Sequence, residues 1–551
     1  MKKLVNQSRF KSLSWIAPLL LISLVFILDP RYFSSPPLRS DDWNWIVSPQ
    51  LFTPLKIIDF FDRRPLIGSL YALITPLFGL KIYWYYVVNW LLLFMTGVVL
   101  YQIIKKVFPE FPWLALPVSL VFLVYPVNYA RTWLIVAVIS FSLLLALTAI
   151  LFMILFSRCG KWIYLFFGNL LFLLSLGIYE ASFGNIMLAA VLLAFFARKI
   201  PLKRRAWLST FLLTGLGFFI WRTFVQPDLI GVQDFYLASV DLSLGTIISR
   251  FFQGGFIFLY NWVGPIFSIF KDKKYLVFIA TVISLVIILI MFLPRAIKNA
   301  KKDRDFNFDD RLQQVKSLAA ITFLGLLFWA AGYIPVISVY QPTFYGDSSR
   351  VNYTSIPGAA LALFAGFSTL ITLIVPKKKH IERVLLGILL ILLVFGSVLQ
   401  IHSQNVRFQI WEIKKAFWNE TFKLIPNITD NSIVVIVIPG FESLQPFEML
   451  PFIGDWEAES ALQVLYNDPT LFAEYYYRDI IGHPDNWNPT ESDLSRYIFL
   501  FFDPNTSTAS LIDNPVTSLA YPIPIQIENY NPENRIEAYR PEIEVYRFLV
   551  R

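Results

Sequence analysis

Apolar blocks of about 15 to 26 residues recur along the chain from Ser14 to Gln400, and that is the length a helix needs to cross the roughly 30 Å hydrocarbon layer of a bilayer. In that layer every backbone polar group must be satisfied within its own segment or by protein, so such blocks are restricted to helices. A soluble fold of 551 residues could not bury a chain that is 56% hydrophobic with a mean hydropathy of +0.58. Lipid has to cover the surplus. The first block, Trp15 to Leu28, follows Lys2, Lys3, Arg9 and Lys11, and Asp29-Pro30-Arg31 comes after it rather than a small-x-small cleavage site. It reads as a retained signal anchor.

Charge orients the blocks, because short loops rich in Lys and Arg stay in the cytoplasm. Lys105-Lys106, Arg158 to Lys161, Arg198 to Arg205, Arg295 to Arg311 and Lys377 to Arg383 are the fixed points. Spans consistent with all five are 14–28, 83–104, 113–127, 133–157, 162–178, 181–197, 206–225, 275–294, 316–337, 354–375 and 384–400, eleven crossings with the N-terminus inside. The remaining apolar stretches, 66–80 and 251–270, are interrupted by Pro76, Gly79, Gly254, Gly255 and Pro265 and read as interfacial or re-entrant helices on the outer side.

The net charge of +9 does not point to nucleic acid. Residues 401–551 hold 10 Lys and Arg against 21 Asp and Glu, which leaves 37 against 17 of the chain's 47 and 38 for residues 1–400. The basic excess therefore lies entirely in the membrane part, and the acidic tail belongs outside. In the tail, Ser432 to Pro439 and Tyr497 to Phe502 are β-branched or aromatic runs bounded by Asn, Asp and Pro, the pattern of buried strands. Helices are expected near 408–424 and 457–479. The single cysteine, Cys159, excludes an internal disulfide.

Several residues stand out chemically. Asp41 and Asp42 follow the first span, and adjacent carboxylates repel each other unless a cation or a proton donor offsets them. One could take a proton from an acceptor hydroxyl while the other orients it or holds a divalent ion; equally, either could cap an interfacial helix. Arg131, Arg222 and Arg350 fall at the predicted outer ends of helices, where positive-inside least expects them and where a planar fork of donors suits phosphate. Each alone could also snorkel to lipid headgroups. Glu180, between two apolar spans, is a functional candidate by its depth, or else a structural partner of one of the arginines. Asp347, beside Arg350, is a weaker candidate and suits a turn. His380, His402 and His483 lack metal-ligand spacing, and no phosphate-binding Gly-rich loop is present.

The layout resembles the GT-C membrane glycosyltransferases, the class that includes protein O-mannosyltransferases and the aminoarabinose transferase of lipid A. The resemblance rests on the outer loop with Asp41-Asp42 after the first helix, Arg64-Pro65-Leu66 before an interfacial helix, Asn89, Tyr179-Glu180, and Arg350 before a late helix. It covers residues 1–400 in pattern, with architecture matching more than sequence. It implies an α-helical polytopic membrane protein of about 11 transmembrane helices. Residues 1–400 would form the GT-C-like catalytic domain, with the first outer loop at 29–82, and residues 401–551 an extracytoplasmic C-terminal α/β domain, in the plasma or inner membrane.

The resemblance further implies transfer of a sugar, with inversion, from a polyprenyl-phosphate carrier to a saccharide, lipid or protein acceptor on the outer face. Asp41 or Asp42 would be the base, with Mg or Mn as an optional cofactor on the pair. Arg350, Arg131 and Arg222 would bind the carrier phosphate, and Glu180 and Arg64 would shape the pocket or orient the acidic pair. No carbohydrate-binding module is recognisable in the tail. The competing readings are a transporter or flippase of lipid-linked saccharides, which would call for paired repeats that this sequence lacks, and a polymerase or ligase, which would use a large late outer loop where 338–353 is short. A receptor or scaffold would need fewer helices.

Overall fold

The computed structural model describes residues 15–26, 29–38, 42–47, 49, 53–61, 64–127, 133–134, 136–196, 200–226, 243–262, 308–337, 339–343, 347–375, 378–438, 455–477, 494–504, 506–512 and 532–537. Each expected span within these residues coincides with a helix; 275–294 lies outside them. Six helices are long and apolar enough to cross a membrane: Tyr83–Val107, Ala137–Cys159, Leu202–Val225, Asp309–Ile337, Ser349–Ile374 and His380–Leu424. Shorter apolar helices run over Ile16–Phe26, Pro65–Phe78, Pro112–Val124, Trp162–Ile178 and Glu180–Phe196. The chain is thus a helical membrane protein with a small C-terminal sheet. The stretches read as interfacial form helices Pro65–Phe78 and Leu244–Tyr260; residues 263–270 lie outside the described chain.

Arginines gather one end of the bundle. Arg158 donates to the carbonyl of Lys106, and Arg204 Nη1 to that of Arg158 at 2.8 Å. Arg205 Nε donates to Ala194 O at 2.6 Å, and Arg311 Nε to Thr372 O at 2.7 Å. The acceptors are the last carbonyls of apolar helices, which have no partner within their own helix and carry the negative end of its dipole. The described residues of the basic clusters used as fixed points for orientation therefore share one face. Helices alternate from it, so Tyr83, Tyr125, Tyr179 and the turn Asp347–Ser355 all fall at the opposite end.

Helices Phe308–Ile337 and Ile356–Ile374 approach through glycines. A Cβ on Gly358 would lie 2.1 Å from the backbone nitrogen of Trp329, and one on Gly325 would lie 2.5 Å from that of Ala362. Since both obstacles are backbone, the pair must separate to admit a methyl group. Gly358→Ala is expected to cost about 1–3 kcal/mol, as overpacking typically does, and to lower the thermal midpoint of the detergent-solubilised chain. An unchanged midpoint would remove this contact from the packing account.

The tail begins inside the membrane part. The expected span 384–400 and the helix expected at 408–424 are one helix, Lys378–Leu424, of 47 residues, and the division drawn at residue 400 falls within it. At 1.5 Å per residue it is about 70 Å long, more than twice the hydrocarbon thickness. After the short strand β1, Asn427–Ile428, which pairs with Ile536–Glu537, the C-terminal half of the helix carries a four-stranded sheet of order β3-β2-β4-β5, where β2 is Ile433–Ile438, β3 Phe472–Tyr477, β4 Tyr497–Asp503 and β5 Thr508–Leu511. β2 is parallel to β3 and β4, and β5 is antiparallel to β4. Both faces of β2 are covered, which is why IVVIVI is apolar throughout rather than alternating. Val434, Ile436 and Ile438 join the core shared with the long helix, and Ile433, Val435 and Val437 form a separate cluster with Tyr497 and Phe499. Phe417 meets Phe502 edge-on at 5.1 Å.

The helix expected over 457–479 is instead a helix at Asp455–Leu465 followed by β3. Asn467 takes a left-handed conformation with φ 52°, and Asp468 Oδ1 accepts the Thr470 amide at 2.8 Å. Asn tolerates that region better than most residues, and Pro469 cannot continue a helix. Phe472–Tyr477 then pairs along the whole of β2, where its aromatic residues suit a strand.

Candidate functional site at the end of the bundle opposite the basic face

At the end away from the arginine-capped face, the first loop folds against the long helix. Arg31 Nε is 2.9 Å from Asp29 Oδ1, and Arg31 Nη2 donates to Asn405 Oδ1 at 2.6 Å. Its guanidinium lies 4.0 Å from the Phe408 ring centroid. Tyr32 is buried between Tyr86 and Phe408, with ring centroids at 4.6 and 4.9 Å, and burial pushes its phenol up to about 12. It therefore stays neutral at physiological pH. Tyr86 Oη donates to Pro37 O at 2.5 Å, and Trp411 Nε1 to Ser35 Oγ at 3.1 Å.

Asp42 is 0% exposed and stands directly before the buried turn Trp43–Val47, with Trp43 6.3 Å from Trp411. Arg407, 2% exposed, lies against Tyr32 and Tyr86, and the charges of both Arg407 and Asp42 act on Tyr86. Asp41, the other half of the acidic pair, lies outside the described residues.

A second cluster forms where helix Trp162–Ile178 ends. Tyr179 is extended, and Glu180–Ser182 turns the chain into the next helix. Arg64, fixed just before Pro65 at the helix start where Pro is favoured, donates through Nη2 to Glu180 Oε1 at 2.8 Å and lies 4.7 Å from the Tyr179 ring centroid. The charge of Arg222 also acts on Glu180, while Arg222 Nη1 donates to Gln226 Oε1 at 2.6 Å. The turn Asp347–Ser355, which carries Arg350 and starts at Asp347, packs against Glu180–Ser182. Arg350 lies 6.0 Å from the Tyr340 ring centroid.

Buried Asn352 fixes that turn. It accepts from Tyr333 Oη at 2.6 Å and donates to Val127 O at 3.0 Å and Thr343 O at 3.1 Å. Asn89 is buried and contacts Ser140 and the Trp133 carbonyl at 3.4 and 3.5 Å. Arg131 lies outside the described residues. Helix Pro65–Phe78 packs against both the turn Trp43–Val47 and helix Trp162–Ile178, so it joins the two clusters into one region.

Of the residues singled out by sequence, Arg64, Glu180, Arg222 and Arg350 thus gather around one turn, and Asp42 lies across the adjoining helix. Arg407, Tyr32 and Tyr86 were not singled out. The available signal was a stripe on one helix face, Gln400, Gln404, Arg407, Trp411 and Lys414, at alternating spacings of four and three. Among the described residues no group of three or more His, Cys, Asp or Glu side chains could hold a metal ion. The charged group found with Asp42 around Tyr86 is a guanidinium, which does not suit a divalent ion. Compared with known proteins, the sequence matches no family model and no curated protein.

Proposed function

We propose that the chain is an inverting membrane glycosyltransferase of GT-C type that uses a polyprenyl-phosphate-linked sugar. In this reading it crosses the cell membrane eleven times with its N-terminus in the cytoplasm, and the sheet domain lies outside. The observation that carries the proposal is the collection of Asp42, Arg64, Glu180, Arg222 and Arg350 at the end of the bundle opposite the basic, arginine-capped face. An aqueous acceptor and a bilayer-held carrier can meet only at such an interface.

The chemistry asked of these groups balances simply. A carboxylate of the Asp41-Asp42 pair takes the proton from an acceptor hydroxyl, and the oxygen forms a bond to the anomeric carbon from the face opposite the leaving group. The bond from that carbon to the carrier's phosphate oxygen breaks, and polyprenyl phosphate leaves with the electron pair. Arg350, Arg222 and Arg131 stabilise the phosphate charge. The Arg64–Glu180 pair fixes the turn Glu180–Ser182, against which the turn carrying Arg350 packs. Saccharide, lipid and protein acceptors all satisfy this scheme, and no step is routed through a metal.

The test is a transfer assay in proteoliposomes holding the full chain and a panel of polyprenyl-phosphate sugars, with and without chelator. Transfer of one sugar with inverted anomeric configuration is the expected result. Failure with every donor, together with movement of the lipid carrier across the vesicle, would replace the enzyme with a transporter.

A further inference from the structure

We infer that Arg407, carried on the half of the long helix that leaves the bilayer, is a positioning residue for the acidic first loop. The inference builds on the reading of that loop as the working part of the site and assigns the tail a share in it.

Four observations carry the argument. A guanidinium cannot shed its proton, so at 2% exposure Arg407 is a permanent buried charge that the fold must compensate. Its neighbours along the stripe all bind the outer end of the bundle: Gln400 Nε2 donates to Tyr125 O at 3.0 Å, Gln404 Nε2 to Val25 O at 3.1 Å, Trp411 Nε1 to Ser35 Oγ at 3.1 Å, and Lys414 Nζ to Leu38 O at 3.5 Å. From Gln404 onward the acceptors pass from the end of the first helix, Val25, into the first loop, Ser35 and Leu38, as the long helix runs toward the sheet, and Arg407 falls between the residues gripping Val25 and Ser35. There it meets Tyr32 and Tyr86, and Tyr86 is also within the field of Asp42.

The consequence is a fixed acidic loop. At 0% exposure the Asp42 carboxylate needs compensation, and Arg407 supplies positive charge to the same surroundings. Arg407 lies against the two tyrosines that line the first loop, and its part is to hold Asp42 and the turn Trp43–Val47 in place. Because the same helix continues into the sheet, the tail sets where Arg407 stands.

Two measurements on the full chain in phosphatidylcholine nanodiscs test this. In amide hydrogen exchange, Arg407→Gln is expected to speed residues 29–47 by about tenfold or more and Arg407→Lys by under about threefold, with helix Ala137–Cys159 unchanged. In the transfer assay, Arg407→Gln should lower kcat by about 30-fold with KM within about threefold, and Arg407→Lys should restore most of kcat. Exchange in Arg407→Gln within about twofold of wild type, or Arg407→Lys as damaging as Arg407→Gln in both measurements, overturns the inference. If the wild-type chain transfers no sugar from any donor, the enzymatic reading falls, and amide exchange alone still decides whether Arg407 holds the loop.

Discussion

Replacing Asp42 by Asn, or Asp41 by Asn, is expected to lower sugar transfer by about 10²- to 10⁴-fold, the range a general base contributes, with expression and membrane insertion intact. Asn keeps the shape and removes both the charge and the basic oxygen. At Asp42 the change also withdraws the negative partner from a region that holds Arg407 at 2% exposure, so Asp42→Asn should loosen the turn Trp43–Val47 as well as remove chemistry. Asp41→Asn should act on chemistry alone. The check is initial-rate transfer normalised to protein in the membrane. Undiminished transfer by both single variants would end the catalytic assignment of the pair.

The second large effect is structural. Lys414 and Glu457 form a buried ion pair with both side chains at 0% exposure, joining the long helix to helix Asp455–Leu465, which itself packs on the turn Trp43–Val47. Removing one partner strands the other charge away from water. Lys414→Met is therefore expected to destabilise the tail by about 3–5 kcal/mol, whereas Lys414→Met with Glu457→Leu should recover most of that loss, because apolar replacement of a whole buried pair is often neutral. Chemical denaturation followed by tail fluorescence reads both. A single variant as stable as wild type would show the pair to be dispensable.

The helical part was legible because lipid leaves an apolar stretch of that length no alternative to a helix, and the gathering of basic residues at one end of the bundle was legible from where they fall between the apolar blocks. The structure adds a reason for that face, since Arg158, Arg204, Arg205 and Arg311 cap neighbouring helices there. What could not be read was continuity beyond the bilayer. His402, Gln404 and Asn405 break the apolar pattern and mark an exit from lipid, but a helix supported by protein continues through them. Strand Phe472–Tyr477 was hidden for a similar reason, because its short aromatic run is decided by the neighbouring strand rather than by its own period.

At the site, Glu180 stood out by its depth and Arg64 only by its place before Pro65-Leu66, yet their pairing across 116 residues is a property of the packed helices. Glu180 does bond to an arginine, but to Arg64 rather than to Arg131, Arg222 or Arg350, the three expected as its structural partners. Arg407 escaped notice because a single arginine in a polar stretch carries no signal until the helix through it is known to be unbroken.

That unbroken helix has a mechanical consequence. Lys378–Leu424 contains no proline and is anchored at intervals from the inner part of the bundle to the sheet, so it behaves as a stiff rod rather than a tether. A change in its tilt, such as a thicker or thinner bilayer would impose, swings the first loop and the sheet together instead of letting one drift from the other. On the proposed topology, a change in bilayer thickness would reach the first loop and the sheet through this single element.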